Sequence, residues 1–269
     1  MKKFTLWCIK HKFLSFFTLA IPFCLFYATI FLLLEAPIPF VVFVTFIIAI
    51  IAAVYVNFAF SKELQDAIKE LYSECDPTSL YEVSCDAAKH TKGVTQQDLI
   101  LNQSAALFFM GKHEEVIEML ENLNIDKISG TLLQSKITYY NNLASAYLEC
   151  GQYDKALLLF EKVRILYRDA PQKLQKQFED IILCIDADEN VVAGSYEKAL
   201  ESIKALKSKD QKSLQKISAT YGEGEIYFKM GEYEKALPLL HYVYMNGGKT
   251  FYVDRALKLI HEIKEKKEA

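Results

Sequence analysis

The sequence has no Cys-x-x-Cys pair, no histidines at metal-ligand spacing, and no serine or cysteine marked as a nucleophile by its neighbours. Its six cysteines, Cys8, Cys24, Cys75, Cys85, Cys150 and Cys184, are scattered, the pattern of reduced core residues in a cytoplasmic protein. Cys75 and Cys85 flank the Asp76-Pro77 turn, but no histidine stands near them at ligand spacing, so no metal is expected. Gly248-Lys249-Thr250 ends like a phosphate-binding loop, yet the leading glycine that motif needs would fall at Val243, and a helix rather than a strand precedes it. It reads better as the glycine-rich stop of a helix. Gly222-Glu223-Gly224 is two-thirds of a dinucleotide fingerprint inside a helical pattern, and Asn102-Gln103-Ser104 spells a glycosylation acceptor on an expected cytoplasmic helix. These absences exclude the usual routes to catalysis, so no enzyme, cofactor or metal site is expected.

Charge is missing from one region. Between Phe13 and Phe60 there is no Lys, Arg or Asp and a single Glu, Glu35. Ahead of it, residues 1–12 hold Lys2, Lys3, Lys10, Lys12 and His11, a basic cytoplasmic tail. The run Phe13–Leu34 would be about 33 Å long as a helix, enough for a hydrocarbon core of roughly 30 Å. Glu35-Ala36-Pro37-Ile38-Pro39 breaks it, and Phe40–Phe60 supplies a second run. The expectation is a transmembrane helical hairpin over 13–60 in the lipid bilayer of the inner membrane, multi-pass, with both termini and the rest of the chain cytoplasmic because the tail is basic. A cleaved signal peptide fits less well, since the first run exceeds an h-region and no small-x-small site follows. A buried soluble hairpin fits worse, for neither run has a charged face. Ala49 and Ala53 form a small-xxx-small pair able to pack the hairpin or a homo-oligomer.

The remainder is an ordinary charged helical domain organised around Asn141–Val163. Gly151 sits where one amphipathic helix should stop and a second begin, because glycine reaches the left-handed cap without steric penalty. Tyr140, Leu143 and Tyr147 make an apolar stripe before it, and Tyr153, Phe160 and Val163 make one after it. The same offsets recur at Gly111, Gly194 and Gly231. Seven residues before the four glycines stand Ser104, Ala144, Ala187 and Gly224, and five after stand Val116, Ala156, Ala199 and Ala236, all small or modest. Three after come Glu114, Asp154, Glu197 and Glu234, and nine after come Leu120, Phe160, Ile203 and Leu240. Agreement at several independent offsets marks a repeat. The unit resembles a tetratricopeptide repeat. It departs from that family at Asn190, where the other units carry Leu107, Tyr147 and Tyr227, and in spacing, the glycines lying 40, 43 and 37 residues apart rather than about 34.

The expected fold is therefore all-α: the hairpin, then a helical adaptor over 61–94, four repeats over 95–249 forming an α-solenoid, and a capping helix within 250–269. In the adaptor, Leu64, Ile68 and Leu71 share one helix face, and Asp76-Pro77 reads as a cap followed by proline at the first helical position. In the cap, Leu257, Ile260 and Ile263 face inward. From residue 61 onward lie 27 of the 31 basic residues and 33 of the 34 acidic ones, so nucleic acid is not an expected partner. The abundance of Lys, Ile and Phe suggests an AT-rich bacterial genome.

The resemblance implies recognition. In such repeats the first helices line a groove that receives an extended peptide or a partner's helix. Mapped from the glycines, the positions facing it are Asn102, Phe108, Asn141, Asn142, Ser145, Asp188, Tyr221, Glu225 and Phe228. Amides such as Asn141 and Asn142 offer a peptide backbone both donor and acceptor; they also serve simply to solvate a helix. One subgroup of the family clamps a C-terminal carboxylate with Lys, Arg and Asn, but here Leu101, Ala105, Ile181 and Ile185 stand where clamp residues belong, and only Asn142 fits. The expected function is a membrane-tethered adaptor whose groove recruits a protein or peptide partner, tethering raising the effective concentration. The alternative is a sensory or regulatory protein whose groove binds a signalling peptide.

Overall fold

The computed structural model describes residues 38–123, 125–127, 132–209 and 213–268, together with Pro22, Leu25, Phe26 and Thr29. Among the described residues from 38 onward, eleven α-helices follow one another: α1 (Ile38–Glu74), α2 (Thr78–Ala88), α3 (Gly93–Phe109), α4 (His113–Glu121), α5 (Leu133–Glu149), α6 (Tyr153–Arg168), α7 (Gln172–Val192), α8 (Tyr196–Lys207), α9 (Ser213–Lys229), α10 (Tyr233–Asn246) and α11 (Phe251–Glu268). A 3-10 turn, Ile125–Lys127, lies between α4 and α5, and no strand occurs among the described residues.

The four glycines divide α3 from α4, α5 from α6, α7 from α8 and α9 from α10. Each adopts a positive φ of 72–77°. Around Gly151 the glycine N–H donates to the Leu148 carbonyl at 3.0 Å and the Gln152 N–H to the Tyr147 carbonyl at 2.9 Å. The same pair of bonds closes the other three helices, satisfying carbonyls a helix end leaves orphaned. The Asn190 departure is harmless here, because the cap uses its backbone carbonyl, which accepts from Ser195 N–H.

The small residues of the repeat are the contact points between helices. Ser104, Ala144, Val116, Ala156, Ala199 and Ala236 are wholly buried. At Gly224 an added Cβ would stand 3.1 Å from Leu240 Cδ2. Phe160, Leu120 and Leu240 fill the space beside them, with no exposed surface. One core joins the first three units from Leu101 to Ile185, and a smaller one joins α7, α8 and α9 around Ala199, Ile203 and Ile226.

A further core brings the C-terminal end of α1 together with α9, α10 and α11. Ala67, Leu71 and Cys75 of the α1 end pack with Ile217, Tyr221, Leu240, Val243, Phe251 and Tyr252. Three residues fasten it. The Lys249 N–H donates to the Cys75 carbonyl at 2.9 Å, and Lys249 Nζ meets Asp76 Oδ2 at 2.7 Å. Burial alone would raise the Asp76 carboxyl, but hydrogen bonds from Lys249 and Thr78 outweigh it and hold the group below its ordinary value. At Gly248 a Cβ would lie 2.7 Å from the carbonyl oxygens of both Glu74 and Cys75, so only glycine lets the two segments of this clasp approach. Cys75 itself has φ 55°, a left-handed conformation that costs a non-glycine residue roughly 1–2 kcal/mol and that the clasp over-determines. The Gly248-Lys249-Thr250 stretch is thus a fastening between the chain's distant segments.

The N-terminal expectation is corrected. Among the described residues no helix is long and apolar enough to cross a membrane, which overturns the placement as a multi-pass inner-membrane protein with cytoplasmic termini and repeats, and leaves the bilayer as a partner without support. The run Phe40–Phe60 is not a separate element: α1 carries it without a break into the charged stretch Lys62–Glu74, whose Leu71 is buried and whose Leu64 and Ile68 pack on the closing core. Proline at position 39 does not interrupt it, being within the first turn where no intrahelical donor is required. Phe43, Phe46, Ile50, Val54 and Phe58 of this part are exposed. The basic tail, the run Phe13–Leu34 apart from the four positions named, and the side chains of Ala49 and Ala53 lie outside the described residues.

In α11, Ile260 and Ile263 are buried as expected, but Ala256 rather than Leu257 completes the inner face. The Asp76 carboxylate caps α2 by accepting the Thr78 N–H at 3.0 Å.

Candidate partner-binding groove

The first helices of the four units, α3, α5, α7 and α9, present the nine expected groove residues in two sections. Asn102 on α3 and Asn141 and Ser145 on α5 are half-buried and make no side-chain hydrogen bond among the described residues. Their donors and acceptors are open to a ligand. Asn142, one residue away, is committed differently: its amide donates to Ser104 Oγ at 3.1 Å, and Ser104 in turn donates to the Leu101 carbonyl. It ties α5 to α3 through two half-satisfied polar groups.

The other section is covered. Phe108 meets Phe251 edge to face at 5.5 Å, Tyr221 lies 5.2 Å from Tyr252 by ring centroids and is 6% exposed, and Phe228 sits beneath the Lys266 ammonium. The covering residues all belong to α11. Its first two turns also reach Phe109, and the Tyr252 hydroxyl is 2.9 Å from Ser218 Oγ. Arg255 pairs with Glu149 at the end of α5 and lies 5.0 Å from the Phe251 ring. The same helix packs along α10 and α9, so the covering residues sit on a helix that caps the last unit.

This section is acidic. Glu149, Asp188, Glu189 and Glu225 act on one another electrostatically. Three have a cation: Glu149 has Arg255, Glu225 has Lys229 at 3.2 Å, and Glu189 has Arg164 at 2.6 Å, which Asp186 shares. Asp188 has no ion pair among the described residues. It keeps some solvent contact while protein surrounds it on most sides, and its carboxyl is pushed up to about 8, first by desolvation, then by Glu149, Glu225 and Glu189. Desolvation also raises Glu149, with Arg255 pulling the other way.

His113 closes the edge of the seat. It is buried between Phe108 and Phe251, at 5.0 and 4.9 Å, with Nδ1 unbonded. Desolvation, then the nearby Arg255 charge, lower it to about 4, so the ring packs as a neutral aromatic.

Sequence offsets named the nine positions and did not name Glu149, Tyr252 or Arg255. Glu149 follows no offset shared with Phe109, Val192 and Lys229 in the other units, and nothing local tells that the capping helix turns inward. Among the described residues no group of three or more His, Cys, Asp or Glu is placed to hold a metal ion.

The family model described as the SusR N-terminal TPR domain matches residues 82–242. Comparison with curated proteins and with solved structures gives no match.

Proposed function

Because the chain belongs to the tetratricopeptide-repeat family of the SusR N-terminal TPR domain, we propose that it is an interaction scaffold whose open groove section binds a protein partner's extended peptide or helix. The observation that carries this reading is the alignment of Asn102, Asn141 and Ser145 on two packed first helices with their hydrogen-bonding groups unused. A peptide main chain needs both donors and acceptors from its host, and amide side chains supply both. On this reading residues 61–94 act as an adaptor, 95–249 as the recognition unit and 250–269 as its cap. Phe108, Asp188, Tyr221, Glu225 and Phe228 belong to the same groove but to its covered end, and Asn142 supports its shape.

The test is in-cell crosslinking followed by affinity capture, comparing the intact chain with a variant carrying Asn102→Glu, Asn141→Glu and Ser145→Glu. A defined protein captured by the intact chain and lost from the still-folded variant supports the reading. Identical capture by both sinks it.

The regulatory alternative, a groove that takes a signalling peptide, is favoured by one observation: Phe251 and Tyr252 of α11 pack on Phe108 and Tyr221, two of the candidate groove residues, so a ligand at that end would act on α11. Tight binding of short synthetic peptides without a stable protein partner would select it.

A further inference from the structure

One stripe of α1 meets two different surroundings. From Phe43 onward, positions alternately four and three residues apart run through Ile47, Ile50 and Val54 and, past Asn57 and Ser61, through Leu64, Ile68 and Leu71. That is the spacing of a helix seam which faces one partner along its length. The C-terminal part has its partner: Leu71 is buried, and Leu64 and Ile68 pack, in the core shared with α9, α10 and α11. The N-terminal part keeps the spacing and carries more bulk, yet Phe43, Ile47, Ile50 and Val54 are 61, 38, 48 and 62% exposed. Phe46, Ile51 and Phe58, which flank the same seam, are exposed with them.

We propose that this exposed seam is the contact between two copies of the chain, α1 of one laid along α1 of the other. Its size is that of an interface. The seven side chains expose on the order of 700 Å² of apolar surface in each copy, above the roughly 300–600 Å² of the largest patch on a typical monomer and close to the about 800 Å² each partner of a stable interface buries. Its chemistry is self-complementary. No Lys, Arg, Asp or Glu stands from Phe40 to Phe60, so identical faces meet without like charges opposed. A second copy also brings the same alternation of four and three, which gives each protruding side chain a matching hole. β-branched Ile47 and Val54 hold few rotamers and lose little freedom on packing. The seam shares no residue with the candidate groove, so a pair carries two grooves, and a partner with two matching segments is held by both. The inference goes beyond the scaffold reading and does not rest on it.

The test is photocrosslinking of the full chain in cells, with benzoylphenylalanine in place of Ile50 on the seam or of Val42 off it. Val42 is 63% exposed but lies one residue, and so about 100° around the helix, from Phe43. The probe at position 50 should give a product of twice the chain mass whose peptide map joins α1 to α1, in at least fivefold higher yield than the probe at 42. Phe43→Glu and Val54→Glu, added to the chain with the probe at 50, should lower that product at least tenfold at unchanged helicity. Equal yields at 42 and 50, or a product that the glutamates leave intact, overturns the inference. So does a probe at 50 that reaches only lipid, a different protein or residues 13–34 of its own chain. If the glutamates cost the fold, the contrast between positions 50 and 42 decides alone.

Discussion

The repeat core and the closing core are built from the same side chains and differ in how far along the chain their partners lie. In the first, Leu107, Val116, Leu120, Ile137, Ala144, Ala156 and Phe160 meet neighbours from the same or the adjacent unit. In the second, Ala67 and Leu71 share one cluster with Ile217, Leu240, Phe251 and Tyr252, which lie three repeat units or more further along the chain. The first kind of contact is fixed by an offset from a glycine and propagates from unit to unit. The second depends on the accumulated rotation of all four units, and a fastening of three residues, Asp76, Gly248 and Lys249, holds it. A solenoid of this family is quasi-one-dimensional, and the clasp makes this one a closed body.

The comparison can be broken most strongly at Leu71, 1% exposed in the closing core. Leu71→Ala should cost about 2–5 kcal/mol and loosen α1 and α11 before the repeats. Urea denaturation followed by helicity, with hydrogen exchange of α5 and α6 as the reference, would check it. Uniform loss of protection in both cores would erase the distinction. In the repeat core, Ala156 has no exposed surface, and Ala156→Trp should cost about 1–3 kcal/mol by overpacking. An unchanged melting curve would show the register of the second unit to be wrong.

Two glycines sharpen the contrast. Gly151 and Gly248 both have positive φ, but nothing lies within 4 Å of a Cβ added to the first, whereas the second would meet two backbone carbonyls. Gly151→Ala should cost only the conformational part, roughly 1–2 kcal/mol. Gly248→Ala should cost that and the clasp as well, seen as a larger fall in midpoint temperature. Equal falls would mean that the clasp contributes nothing.

A separate effect is on pH dependence. Asp188 is raised from its ordinary 3.8 to about 8, so between these values the folded chain retains a proton that the unfolded chain has lost. Its contribution to stability is complete below about pH 4 and is lost as pH rises toward 8. His113, lowered to about 4, acts in the opposite sense, its contribution being lost as pH falls from 6.5. Asp188→Asn should flatten the decline between pH 6 and 8 in denaturation midpoints and leave the acid limb intact. An unaltered slope would place the ionised carboxylate in contact with water or a cation.

These differences also mark what the sequence could disclose. Offsets from Gly111, Gly151, Gly194 and Gly231 disclosed the helix pairs and their small contact residues, because both are local. The clasp was hidden in a glycine-rich stop, since nothing near Gly248 in sequence names Cys75 as its neighbour. The groove divided in the same way. Asn102, Asn141 and Ser145 follow from helical position alone. The commitment of Asn142 to Ser104 depends on the distance between units, and the pairing of Arg255 with Glu149 depends on where the last helix is carried by all the units before it. The long apolar run was visible, but hydropathy does not tell whether a helix ends with it, and α1 continues through it into charged sequence.

On this account the two ends of the repeat body are fastened together at Asp76 and Lys249. Zero-length carbodiimide crosslinking of the full chain, read by mass spectrometry, tests it most directly, because it joins only a carboxylate and an amine already in contact. The account predicts an Asp76–Lys249 crosslink, across 2.7 Å, in yield comparable to the local pair Asp86–Lys89 at 3.1 Å. Recovery of the local pair without the Asp76–Lys249 crosslink would contradict it.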